Sequence, residues 1–419
     1  MRSKTLAVLA TLWVSSGIQA QPLTLAEAMN RAEAASPVVS TRQAQLSAVE
    51  GLRREASRLL YNNPELTAER GRRRADGLGG NANEWSVGIA QPIEIGGQQA
   101  RRREVAAASL EALRAEVDDA RRQARADAAT RFQEIVAAQR RVELERRSTE
   151  LFDSVSQAVA RRRAAGEDTR LDANVAVVEA ERSRNAQAVA NEQLLDARSE
   201  LATLLRLPGG QLPEVTPEPL EGVAAAVSGY SLEQMLQSAQ MLPRLRALTA
   251  RQEVARSRLD VERANRYPDV TIGLSTGREG FRDGRERLTT LSVSVPLPIW
   301  KRNDAAIGQA LTDLAQAEVE RTTAVRDSQA NVRRLWLRLQ SQRDRVQRLQ
   351  RSLLPASVDN QQLALRSRQA GQIGLLDQVV VNRQALDAER ELNDALAELA
   401  ATRIELENAA GWPIQGLAP

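Results

Sequence analysis

From residue 24 onward the spacing of apolar and polar positions changes in a fixed order, and the order occurs twice. Thr24-Leu-Ala-Glu27 and Ser231-Leu-Glu-Gln234 each read as a capping box, a hydroxyl accepting an early backbone N–H while the acid or amide reaches back. A helix is predicted from each, running to Asn63-Pro64 and to Tyr267-Pro268, where proline lacks a donor and restricts the residue before it. Beyond each proline the period falls to two. Val270, Ile272 and Leu274 alternate with Thr271, Gly273 and Ser275, and Leu291, Val293 and Val295 alternate with Ser292, Ser294 and Pro296. In the first copy Trp85, Val87 and Ile89 alternate with Ser86, Gly88 and Ala90; a weaker strand around Leu66 to Arg70 precedes a Gly- and Arg-rich connection through Gly80. Four half-buried strands are expected, two per copy.

Long proline-free stretches follow each strand pair, from Gln98 to beyond Leu151 and from Asp304 to Leu354. Fifty helical residues span about 75 Å, more than a globular helix needs. Val325, Val332, Leu339, Val346 and Leu353 recur every seven residues, with Leu335 and Leu349 three beyond two of them, which predicts coiled-coil helices. Short glycine turns, Arg161-Arg-Arg-Ala-Ala-Gly166 and Arg366-Ser-Arg-Gln-Ala-Gly371, then reverse the chain into helices carrying Leu171-Asp172 and Leu376-Asp377. Glycine permits a left-handed helix end, and the aspartates suit either capping of the returning helix or a role at the hairpin tip.

The correspondence has a nearly constant offset: Pro37 returns as Pro243, Pro64 as Pro268, Pro92 as Pro296, Gly166 as Gly371 and Pro208 as Pro413, all 204 to 206 residues apart. This is a tandem duplication whose unit is too long for a short-repeat solenoid. The expected organisation is a leader at 1–20, a first repeat at 21–208, a linker at 209–229, a second repeat at 230–413 and a tail at 414–419.

Composition narrows the compartment. Arg2 and Lys4, the apolar run from Leu6 to Val14 and the small residues ending at Ala20 form a secretory signal, too short in its apolar part to span a membrane. With no cysteine, lipidation through cysteine, disulfides and thiolate metal sites are excluded. No later run is apolar for the eighteen residues a membrane helix needs, which leaves a surface helix or a β-barrel for holding a bilayer. Four strands cannot close a barrel, so several chains would have to close one together, and the one-apolar, one-small face of the strands matches a transmembrane barrel's alternation. An ordinary antiparallel sheet of a soluble domain is the other reading. The net charge is +4, two of it in the leader, and all but two of the 58 basic residues are arginine. They alternate with Asp and Glu, as in Glu143-Leu-Glu-Arg-Arg147, marking salt-bridged helix surfaces and not a nucleic-acid stripe.

These features together resemble the TolC-like outer-membrane efflux proteins across nearly the whole mature chain: the duplicated strand-pair and hairpin unit, the Arg-x4-Gly-x4-Leu-Asp tip in both copies, and the proline-containing ends of the second strands. The resemblance implies a mainly α fold with a small β part. In it a homotrimer builds a twelve-stranded outer-membrane barrel from four strands per chain, a long periplasmic α-barrel from the helical hairpins, and a mixed belt holding the segment from Pro208 to Gly229. It implies a periplasmic entrance at Arg161, Gly166, Leu171, Asp172, Arg366, Gly371, Leu376 and Asp377, meeting a membrane-fusion adaptor that joins an inner-membrane RND-type pump. It also implies lipid-facing positions at Trp85, Val87, Ile89, Val270, Ile272, Leu274, Leu291, Val293 and Val295. Gln91-Pro-Ile-Glu-Ile-Gly-Gly97 and Val295-Pro-Leu-Pro-Ile-Trp300 look like the CzcC-like, cobalt-zinc-cadmium branch, although a drug-efflux duct would use similar turns.

The expected function is therefore a passive exit duct, for heavy-metal cations or for drugs and other small molecules. A periplasmic coiled-coil adaptor or structural protein shares the leader and hairpins, but not dyad strands with Trp85 and Trp300 near their ends. Catalysis is not expected: there is no histidine base, no cysteine nucleophile and no phosphate loop, and the carboxylates face arginines. No cofactor is expected, and without His or Cys no tight site for late transition metals is either.

Overall fold

The computed structural model describes residues 22–75, 80–216, 231–280 and 284–413. The leader expected at 1–20, residues 217–229 of the expected linker and the tail at 414–419 lie outside the described residues. The first half runs α1 (Leu25–Ala35), α2 (Pro37–Ala56), β1 (Glu65–Ala75), β2 (Gly80–Ile93), α3 (Gln98–Ala164) and α4 (Arg170–Leu204). The second half runs α5 (Leu232–Ala239), α6 (Pro243–Ala264), β3 (Val270–Glu279), β4 (Glu286–Ser294), α7 (Asp304–Arg348), a π-helical turn (Leu349–Leu353), α8 (Leu354–Gln369) and α9 (Leu375–Ala410).

The helix expected from Thr24 to Pro64 is two helices. Thr24 does form the capping box: Glu27 N–H donates to Thr24 Oγ1 at 3.3 Å and Thr24 N–H to Glu27 Oε2 at 3.1 Å. At Ser36-Pro37 a second start intervenes, with Val39 N–H on Ser36 Oγ at 3.4 Å and proline at the first helical position, where its missing donor costs nothing. Pro243 opens α6 in the same way. Ser231 sits at the cap of α5 but makes no side-chain cap bond, so the second capping box does not form; Gln234 offers a neutral amide where Glu27 offers a carboxylate. α2 also stops at Ala56, well short of Pro64.

α3 is one helix of 67 residues, about 100 Å long. Its counterpart reaches the same length only by passing through the π turn. Pro355 is the reason: it has no N–H to give and its ring collides with the carbonyl four residues back, a conflict the wider turn absorbs. The heptad register follows the same boundary. Val332, Leu335, Leu339, Val346 and Leu349 are buried and Val325 half-buried, but Leu353 is exposed, because the extra residue in the turn rotates the seam away.

Three apolar clusters hold the length together. The largest joins Met29, Phe132, Ile135, Leu201, Met235, Leu339, Leu399, Ile404 and Leu406 from both repeats. Leu23 and Val215 add a parallel bridge to it, so the part of the linker after the 3₁₀ turn at Pro208–Gly210 packs beside α1. A second cluster around Phe152, Val155, Ala180 and Leu375 lies toward the hairpin tips, and a third, Leu259, Ile307 and Ala310, toward the sheet.

Candidate functional sites at the two ends

At one end the four strands form a single antiparallel sheet in the order β1-β2-β3-β4, so β1 and β4 carry the two edges. The register decides the faces, since directly paired antiparallel residues point the same way. Leu66 pairs with Ile89, Ile89 with Leu274 and Leu274 with Leu291; Ile93 pairs with Val270, and Ile272 with Val293. Trp85, Val87, Ile89, Val270, Ile272, Leu274, Leu291 and Val293 thus share one face, and all but half-buried Val270 are exposed. Val295, predicted with them, lies one residue beyond β4.

The opposite face is small and polar: Ser86, Gly88, Ala90, Thr271, Gly273, Ser275, Gly277, Thr290 and Ser292, with Leu288 the exception. Its crowding shows in its glycines. A Cβ on Gly88 would stand 2.9 Å from Thr67 Oγ1, and one on Gly273 2.5 Å from Ser292 Oγ, as on the concave side of a curled sheet. The strands also run farther than expected: the Arg-rich stretch read as a connection is strand, with Arg72↔Asn83 and Arg73↔Ala82 paired and Arg73 bridging Glu84 at 3.1 Å. Charges on both faces of β1 hide the alternation there, because Gly71 to Arg74 are all exposed.

The strand-to-helix junctions are stitched both within and across the repeats. Asn62 Nδ2 donates to Asp269 Oδ2 at 2.8 Å, Gln98 Nε2 to the Tyr267 carbonyl at 3.1 Å, and Gln91 Nε2 to the Asn62 carbonyl at 2.8 Å. Arg102 donates to Glu94 at 2.6 Å and stacks 3.7 Å over Tyr61. The Gly96-Gly97 turn now has two separate causes. A Cβ on Gly96 would press 2.8 Å from the Ala264 carbonyl oxygen, while Gly97 supplies the left-handed φ of +79° that opens α3. Asn303 takes that left-handed place in the second repeat, φ 60°, but there the preceding loop is open, with Leu297, Ile299 and Trp300 exposed.

At the other end both hairpins turn by the same backbone motif. Glu167 N–H reaches the Arg162 carbonyl at 2.9 Å and Gly166 N–H the Arg163 carbonyl at 3.0 Å; Gln372 to Ser367 and Gly371 to Arg368 repeat the pair at 2.9 and 3.1 Å. Gly166 and Gly371 carry φ of +82° and +72°. Arg161 and Arg366 stand in the last helical turns with their carbonyls receiving Ala165 and Ala370 N–H. Both aspartates cap. Asp172 accepts from Thr169 N–H at 3.0 Å and from its hydroxyl at 2.7 Å, bonds that hold its carboxyl below the usual range. Asp377 accepts from Gly374 N–H at 3.1 Å, without a hydroxyl partner. Leu171 and Leu376 project outward, 72% and 64% exposed.

The sequence reading missed what joins the tips. Asp168, whose side chain is 4% exposed, receives Arg368 of the second hairpin at 2.7 Å and Arg162 of its own at 3.3 Å. The residues are 200 apart in sequence and sit in unlike positions of the two repeats, Asp168 answering to Ile373, so duplication gives no hint of the pair. Farther up, Glu145 on α3, buried, takes Arg390 of α9 at 2.6 Å and Arg141 at 2.8 Å. Near mid-length a cleft of about 510 Å³ between α3, α6, α7 and α9 is lined by Asp119, Arg122, Arg244, Asp327, Arg334 and Glu405. Burial pushes the Asp119 carboxyl up, with Arg122 and Arg244 opposing it.

Among the described residues no group of three or more His, Cys, Asp or Glu is placed to hold a metal ion, and no helix is long and apolar enough to cross a membrane.

Comparison with known proteins supports one assignment. Residues 235–412 match the family model described as outer membrane efflux protein. The chain is 26% identical over 376 residues to the cobalt-zinc-cadmium resistance protein CzcC of Cupriavidus metallidurans, covering 90% of this chain and 85% of that one. Solved structures share the fold over nearly its full length. One is CusC, with a TM-score of 0.74, 17% identity and 96% of each chain covered. Another is the open state of the MtrE outer membrane channel of Neisseria gonorrhoeae, with a TM-score of 0.74, 19% identity and coverage of 93% of this chain and 89% of that one. With the strand pairs, hairpins and matched tips in the places that resemblance requires, the second half of the chain matches the outer membrane efflux protein model and nearly the whole chain has the fold of these channels.

Proposed function

We propose that three copies of this chain close a twelve-stranded barrel through the outer membrane and a helical barrel beneath it in the periplasm, forming the passive exit duct of a tripartite efflux system. The sheet is the observation that carries this. It has free edges at β1 and β4, an exposed apolar band on one face and a small, polar, crowded face on the other. A bilayer leaves no water for unpaired edges, so such a sheet spans it only when closed by further copies. In this reading Trp85, Val87, Ile89, Val270, Ile272, Leu274, Leu291, Val293 and Val295 meet lipid and the glycine-serine face lines the lumen.

The hairpin tips then form the periplasmic entrance. Arg161, Gly166, Leu171, Asp172, Arg366, Gly371, Leu376 and Asp377 are the positions at which a membrane-fusion adaptor docks, and that adaptor links the duct to an inner-membrane RND-type pump. The cargo is heavy-metal cations. Support comes from the similarity to CzcC over nine-tenths of the chain. A duct releases what it passes, and the guanidinium–carboxylate pairs along its helices suit a scaffold and not a reaction centre; the protein acts as a conduit and not as a catalyst.

The test is single-channel conductance of the detergent-extracted protein in a planar bilayer, with oligomeric mass measured on the same sample. Discrete openings from a trimer are expected; a soluble, non-trimeric protein without openings overturns the duct. Cells lacking the chain should lose resistance to cobalt, zinc or cadmium, and unchanged metal resistance with lost drug resistance would move the cargo to the other class. Val293→Arg should block membrane assembly, at a cost of about 2–4 kcal/mol for a charge at mid-bilayer.

A further inference from the structure

The tips hold more positive charge than they use. Between Arg161 and Asp172 and between Arg366 and Asp377 there are six arginines and four carboxylates. Every carboxylate is committed inside the tip: Asp168 to Arg162 and Arg368, Glu167 to Arg162, Asp172 to the Thr169 cap and Asp377 to Gly374 N–H. Those contacts occupy Arg162 and Arg368. Arg161, Arg163, Arg170 and Arg366 are exposed, and none of them pairs with a carboxylate among the described residues. Farther along the same hairpin Arg131, Arg146, Arg147 and Arg184 are each answered by an acid.

Helix dipoles account for part of this, since Arg161, Arg163 and Arg366 stand in last turns, where cations are favoured. Arg170 contradicts it: it is the first residue of α4, at the positive end of the dipole, exposed and unpaired. Beside these cations stand the exposed Leu171 and Leu376. A partner covering the leucines also dehydrates the guanidiniums, which is unfavourable unless carboxylates come with it.

We propose that Arg161, Arg163, Arg170 and Arg366, with Leu171 and Leu376, form a docking surface for the acidic end of the periplasmic adaptor, whose carboxylates pair with the four guanidiniums. This rests on the duct reading and adds to it the charge of the partner. The neutral or basic hairpin end of an adaptor does not fit the surface.

The experiment uses the full-length trimer in detergent and, as probe, a synthetic helical hairpin bearing four glutamates at its turn, beside the same hairpin with glutamines. Binding of the glutamate hairpin should be at least about tenfold tighter and should weaken with salt. Changing the four arginines together to glutamine should lose about tenfold, changing them to lysine should keep most of the affinity, and Arg326→Gln on the exposed side of α7 should change nothing. Equal binding of the two hairpins, or loss by Arg326→Gln equal to that at the tip, overturns the proposal. So does capture of phosphatidylglycerol vesicles, and not of the glutamate hairpin, through the same arginines. Conductance and oligomeric mass on the same preparation separate the two claims: open channels without glutamate preference sink only the acidic partner, whereas a soluble, non-trimeric preparation without channels sinks the duct beneath it.

Discussion

The two hairpins follow one plan and differ in how firmly each part is fixed. The outgoing leg of the first is a single α-helix, whereas that of the second is broken in register by a π turn ahead of Pro355. The returning helix of the first is closed by a full capping box at Thr169; that of the second starts at Gly374 with one bond from Asp377. At the sheet end, Gly96 is wedged against Ala264 and Tyr267, while the matching Val295–Trp300 loop is open. In each case the first repeat holds the tighter version. Duplication copied the architecture, and local chemistry then set one copy as the stiffer.

The largest break in that comparison should come from moving the proline. Glu150→Pro, at the place in α3 that answers to Pro355, should cost about 3 kcal/mol or more, because no wide turn waits there; Pro355→Ala should cost little and raise amide-exchange protection across Leu349–Leu353. Denaturant midpoints with exchange mass spectrometry read both, and equal costs would mean that the π turn is not an accommodation to proline. Next comes the junction. Gly96→Ala should destabilise by about 1–3 kcal/mol through contact with the Ala264 carbonyl, against a change within about 0.5 kcal/mol for Pro298→Ala in the open loop.

Smaller still is the cap. Thr169→Ala should cost about 1 kcal/mol, and Gly374→Thr should return a few tenths to the second tip. The smallest effect is one of pH. Thr169 holds the Asp172 carboxyl below its ordinary value, so the bond's contribution is complete above about pH 4 and fades as pH falls through the lowered folded value. Exchange at the Asp172 amide should quicken in that range in the native protein, and the Thr169→Ala variant should not show the step.

Much of this design is legible in the sequence because duplication repeats each signal. Pro64 and Pro268, Gly166 and Gly371 and the alternation after each proline mark the strands and hairpin ends, and the structure has both in those places. Interactions that use each copy differently leave no such trace. Asp168–Arg368 joins unlike positions, Gly96 is needed because a carbonyl from α6 comes close, and the π turn answers to a proline present in one copy only. β1 extends through Arg72–Arg74 although period-two reading fails there, since a strand with no dry face has no reason to alternate. The hairpin turns at Gly166 and Gly371 are readable as positions. The division of the tip residues into capping carboxylates and unanswered guanidiniums required coordinates.

The arginine–carboxylate lattice that runs along the hairpins has a thermodynamic corollary. The chain contains no histidine, and its basic side chains are guanidiniums, apart from Lys4 and Lys301. Histidine and cysteine, the side chains whose ordinary ranges lie nearest neutrality, are both absent. The surroundings of an outer-membrane protein share the acidity of whatever the cell lives in. For this molecule protons are poor messengers, because the side chain that most often reads them near neutral pH is missing from it.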